Sequence, residues 1–192
     1  MRFNHQDTWM ISLDSSSDLD LALYVRDALN ITTQAAGSIP PLDPAVPASD
    51  LPAPPGVERL WDEWWTSITD LRLAPGKDKL APIELPAAWE EEIHRLRLEY
   101  SRWAADLRAA EARSGQPHTR EVIPFLELVD HVRLELGRDN LDFMLSIQEI
   151  PVAGRYWQRV NTDTVMASSA LLRSEEGATK LRAVILELAA RG

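Results

Sequence analysis

Between Trp89 and Ala110 the apolar side chains recur at spacings of 4, 3, 4, 3, 4 and 3 residues, through Ile93, Leu96, Tyr100, Trp103 and Leu107. No other stretch restricts the fold of this chain as tightly. A strand would scatter these residues over both of its faces. Only a helix gathers them into one stripe, and about three heptads of such a stripe must be covered by something. Glu91 with Arg95, and Arg102 with Asp106, add i,i+4 pairs of opposite charge on the outer face. Gly115-Gln116-Pro117 supplies the stop.

Two further stripes provide cover. Val57, Leu60, Trp61, Trp64, Ile68 and Leu71 predict an amphipathic helix over 57–73. A third helix is expected over 120–136, with Val122, Phe125, Leu126, Val129 and Leu136 inward and Gly137 as its C-cap. Pro124 must lie in its first turn or mark its true start. Upstream, Trp9, Ile11 and Leu13 alternate as in a short strand over 8–13. The serines at 15–17 then offer caps for a helix over 18–30. Pro40, Pro41, Pro44, Pro47, Pro52, Pro54 and Pro55 preclude both helix and ladder pairing, so 38–56 reads as an extended connector adding little to the core. Its Pro-x-x-Pro spacings arise in any proline-rich linker and are not assigned to a recognition groove.

The last third is mixed. Phe143, Leu145 and Ile147 predict a half-buried strand, residues 151–154 a turn, and 156–160 with 164–167 the return strands. Leu181, Val184, Ile185 and Leu188 mark a C-terminal helix. The expected architecture is therefore α+β in one domain, 1–192. A helical block over 57–137, made of three amphipathic helices, packs on a small, mainly antiparallel sheet, and 141–192 form a β-hairpin plus C-terminal helix.

Composition narrows the function classes. The 192 residues carry a net charge of -10, with a pI near 4.9 and no cysteine. An acidic chain lacks the basic face that nucleic acid or an anionic membrane requires. Absence of cysteine excludes disulfides and cysteine-held metal. The first residues have no apolar run of leader type, and no stretch is long enough to span a bilayer, so a cytoplasmic protein is expected. Apart from Lys77, Lys79 and Lys180, all 20 basic residues are arginine, which with abundant alanine matches the codon bias of a GC-rich bacterium.

Chemistry-bearing constellations are scarce. Glu127, His131 and Glu135 share a helix face, and Glu91 and His94 have Glu-x-x-His spacing. Both sets point away from the apolar stripes, the first by roughly 150°, whereas bundle metal sites point inward. No metal or cofactor is expected, and no nucleophile elbow, phosphate loop or calcium loop is present. Two features suggest binding. Trp65 lies off its helix's stripe and is expected at the surface, where tryptophan marks contact sites. Arg155, Trp157 and Arg159 share one face of a strand and could hold an anion by charge and stacking. The leading expectation is a non-catalytic protein acting through a protein partner, as adaptor, immunity-type inhibitor, chaperone or assembly factor. The alternative is a small-molecule enzyme or sensor holding an anionic ligand near Arg155, Trp157 and Arg159. The heptad seam suits a neighbouring helix; used for self-association it would instead make a homodimer. With an intramolecular seam, Leu96→Ala should cost about 2–5 kcal/mol in urea denaturation. That loss should be independent of protein concentration, and the species should sediment as a monomer throughout.

Overall fold

Strand β1 (Met10–Ser15) lies at one edge of a four-stranded sheet whose order is β1-β2-β4-β3. β2 is Met144–Ile150, β3 Trp157–Arg159 and β4 Thr164–Ser168. This computed structural model describes residues 8–50, 53, 55–73, 89–115 and 119–191. The architecture is α+β, as expected. The sheet is mixed rather than mainly antiparallel, because β1 pairs with β2 and β2 with β4 in parallel, and β3 with β4 alone is antiparallel. The cause lies at residues 151–153, which were expected to turn the chain back along β2. They pair instead with the proline-rich segment: Leu42 bridges Val152, Asp43 N donates to Pro151 O over 2.9 Å, and Ala153 N donates to Pro41 O over 2.8 Å. The chain is thereby carried past β2, and the hairpin forms one strand later, between β3 and β4.

Alternation along the strands sends their side chains to two separate cores. Leu145, Ile147, Val165 and Ala167 pack with α6 (Phe125–Leu136), α7 (Ser169–Leu172) and α8 (Glu175–Arg191). On the other face Ile150 and Met166 join α1 (Ser17–Ala28), α3 (Val57–Arg72) and α4 (Glu90–Ser114). Two short helices complete the described elements, α2 (Gln34–Gly37) and α5 (Thr119–Val122).

The heptad helix is present, and its seam is buried within this chain. Trp89, Ile93, Leu96 and Trp103 are buried. Tyr24 of α1 meets Tyr100 and Trp103 at ring-centroid distances of 5.7 and 5.8 Å. Trp61 of α3 donates to Ala22 O of α1 over 2.8 Å, so α1 is clasped between α3 and α4. Toward its C-terminus the seam outruns its neighbours: Leu107 is half-buried and Ala110 exposed.

Two expectations are corrected here. The helix over 120–136 is broken at Pro124 into α5 and α6, and α6 buries Leu128, Val129 and Val132, whereas Val122 and Leu126 are exposed. The proline-rich segment is extended, yet its described part is packed rather than free. Ile39 and Leu42 are core residues, Ser49 N donates to Ala28 O, and Pro44 O accepts from Trp103. Arg26, itself buried, drives this docking: Nη1 reaches Ala36 O at 3.2 Å and Ile39 O at 2.8 Å, and Nη2 reaches Pro40 O at 2.8 Å. Its Nε holds Asp27 Oδ1 at 2.7 Å, while Asp27 Oδ2 accepts from Leu42 N at the same distance. α7 and α8 touch so closely that a Cβ on Gly177 would clash with Leu171 O. Ser168 caps α7 by accepting from Leu171 N.

Arg26→Met keeps the packing volume but strands three carbonyls and the Asp27 carboxylate. The variant should lose about 3–5 kcal/mol in urea denaturation. Hydrogen exchange should quicken first over residues 36–43, because those amides lie beside the lost contacts.

Candidate functional site

Three strand ends and the seam's overrun converge on one cleft. β1, β2 and β4 run parallel, so their carboxyl ends open on the same side of the sheet. The chain at those ends builds the cleft: Asp14 and Ser15 at the end of β1, Glu149, Pro151 and Val152 at and beyond the end of β2, and Ser169, Ala170 and Arg173 after β4. α4 lays residues from Tyr100 to Ser114 across the opening. The enclosed volume is about 860 Å³, within the size range of small-molecule sites. Loops at the carboxyl edge of parallel strands are where α/β sheets commonly bind ligands, because a rigid scaffold there holds side chains that need not pack.

Asp20 is the unusual group in the wall. It sits in the first turn of α1, where the helix dipole favours a charged carboxylate. Burial opposes this and wins, with the Glu149 carboxylate adding to it, and the Asp20 carboxyl is pushed up to about 7. Its Oδ1 is buried with no hydrogen-bond partner among the described residues. Glu149 is placed by a short relay. Arg173 Nε donates to Thr119 Oγ1 over 3.1 Å, and Thr119 Oγ1 donates to Glu149 Oε1 over 2.6 Å. Because a guanidinium only donates, the Thr119 proton must point at Glu149, which accepts it through Oε1. Tyr100 faces the same space, its phenol pushed up to about 12 by burial and then by the charge of Asp20. The arrangement offers carboxylate acceptors beside an aromatic and aliphatic wall.

The sequence-predicted candidates lie elsewhere. Trp65 is buried, at 8% exposure, and stacks on Trp61 with centroids 5.3 Å apart and planes 8° from parallel. The stripe of α3 is thus wider than its spacing indicated, and one more tryptophan joins the core. Arg155, Trp157 and Arg159 do share a face, directed at α8. Trp157 is half-buried against that core, Arg159 Nη1 meets Glu187 at 2.7 Å, and Arg155 Nη1 meets Glu176 at 3.5 Å. The acidic residues of α8 therefore lie where an anionic ligand would approach. His94, His131, Glu91, Glu127 and Glu135 are exposed. Among the described residues no group of three or more His, Asp or Glu is spaced to hold a metal ion, and no helix is long and apolar enough to cross a membrane. The chain matches no protein-family model, no curated protein and no solved structure.

The raised carboxyl makes a signed prediction. In the unfolded chain Asp20 loses its proton near its ordinary value of 3.8, but the folded protein keeps it up to about 7. Between those values the native state binds the extra proton, so this group's contribution to stability falls as pH rises. Asp20→Asn removes that fall. Urea denaturation at about pH 5 and about pH 8 should show the variant gaining on the wild type toward high pH. Curves that stay parallel would mean Asp20 is ordinarily solvated.

Proposed function

We propose that this protein is a small-molecule-binding protein, a sensor or an enzyme, whose ligand occupies the cleft at the carboxyl ends of β1, β2 and β4. The observation that carries this reading is the buried Asp20 oxygen without a partner in the cleft wall. An unmatched buried acceptor costs about 1–3 kcal/mol, and a ligand's N–H or O–H would remove that cost. This is the second of the two classes expected from the sequence, with its site moved from the β3 edge strand to the cleft at the carboxyl ends of β1, β2 and β4. The test is a thermal-shift screen with metabolites of mixed charge, run on wild type and on Ala110→Trp. Ala110 is exposed and lines the cleft, so the larger side chain should fill the opening without disturbing the core. Compounds that stabilise the wild type should lose their effect on Ala110→Trp. Stabilisation that survives the filling, or that maps to Arg155–Arg159, would count against the cleft.

A protein partner, the first class expected, is supported by one further observation. Leu126 and Leu134 stand on a common line of α6, at 69% and 79% exposure, with Asp130 between them. Large side chains so exposed are costly in water and recur at contact surfaces. Leu126→Ser with Leu134→Ser should then abolish co-purification of a specific protein while leaving any thermal shift by a cleft ligand intact.

A further inference from the structure

Five carboxylates line the cleft, Asp14, Asp20, Asp43, Glu111 and Glu149, against two guanidinium groups, Arg108 and Arg173. Arg173 directs its Nε to Thr119, inside the relay that positions Glu149. The potential in the cleft is therefore negative, and it favours a cation. A compact divalent ion fits poorly, because it needs several oxygens converging on one point, and the described residues hold no such group. The carboxylates are instead spread along a wall whose apolar members include Leu13, Tyr100, Trp103, Ala104, Leu107 and Val152. An apolar body bearing positive charge matches both features, since aromatic faces attract ammonium groups as well as methylenes.

We propose that the cleft binds an organic amine, its ammonium group seated against Asp20 and Glu149 and its carbon chain along Tyr100 and Leu107. This inference rests on the cleft being the ligand site. A small rotation of the Asp20 side chain lets the ammonium donate to the oxygen that lacks a partner, and the ammonium's charge offsets the repulsion between the two acids. It also restores the ionised form of Asp20, which burial and Glu149 otherwise disfavour.

Spermidine is a suitable probe, set beside magnesium, inorganic phosphate and the neutral compounds of the screen. Calorimetry at about 0.15 M salt suppresses diffuse attraction to the acidic surface. Amide chemical shifts locate each binder. Spermidine should shift amides of residues 13–20 and 149–152, and Asp20→Asn should weaken it about tenfold or more. Glu58→Gln removes an exposed carboxylate of α3 outside the cleft and should change little. Equal losses for the two variants would mean attraction to net charge alone and overturn the proposal. Phosphate or neutral compounds shifting the cleft amides, with spermidine silent, would overturn the amine and leave the cleft standing. If no compound tested shifts those amides, the cleft reading fails with it.

Discussion

The buried guanidinium of Arg26 is the contact on which the remaining geometry hangs. A proline-rich strand has few backbone donors and cannot join a sheet along its length, so something else must order it. Arg26 does so with a planar fork of donors, taking three carbonyls, those of Ala36, Ile39 and Pro40, while Asp27 receives Leu42 N. A lysine in its place would supply one compact charge and could not reach all three acceptors. Once residues 36–43 are held, Pro41 and Asp43 meet the chain after β2, and Pro44 O meets Trp103 of α4. One side chain of α1 thus sets where β2 is allowed to turn and where α4 lies. The topology of β3 and β4 and the walls of the cleft follow from those two placements.

The helical half was readable because its signal is local. A stripe at spacings of three and four survives whatever covers it, and the seam of α4 needed only a neighbour, which Tyr24 and Ile31 help to provide. The stripe of α6 was misplaced for an equally local reason. Pro124 restarts the helix, so the phase of Val122 does not continue past it, and the apolar face rotates to Leu128, Val129 and Val132. Strand direction is not local. β2 carries an alternation of Phe143, Leu145 and Ile147 that suits a one-sided antiparallel strand, but it is central and parallel and is also covered on its other face, where Gln148 and Ile150 are buried. Gln148 is tolerated there because its amide donates to Asp14 O at 3.0 Å, a partner 134 residues away.

The cleft was hardly legible at all. Asp20 reads as an ordinary first-turn acid, favourable to the dipole and solvated. Glu149 reads as the polar half of an alternating strand. Neither stands at a spacing that relates it to Thr119 or Arg173, and only parallel pairing of β1, β2 and β4 brings these residues to one edge. A trace was available in three serines followed by Asp18-Leu19-Asp20, where a strand gives way at once to a helix. Such a junction places the helix's first turn at a strand's carboxyl end, where a sheet is least covered. The Arg155–Arg159 face shows the converse limit. Its shared orientation followed from alternation, but its partners, Glu176 and Glu187, come from a helix 21 and 28 residues further on.

Among the described residues, the buried polar atoms without a partner include the indole Nε1 of Trp64 and of Trp89, and Asp20 Oδ1 is the one on a carboxyl group. Arg26 is buried and its Nε, Nη1 and Nη2 each meet an acceptor; Gln148, Thr119 and Ser168 are buried and each is matched. The same chain that satisfies those groups leaves the Asp20 oxygen unmatched beside a second acid, at the edge of a cleft and in the first turn of α1. Replacing aspartate by leucine or asparagine there would remove both the desolvation and the repulsion, so stability alone gives no reason for the carboxyl. Groups that break the local rules of folding without a structural return are concentrated where a protein meets its ligand. The position of this one fits that pattern, since it lies where the sheet's geometry already opens a space and where the nearest charges leave room for a cation.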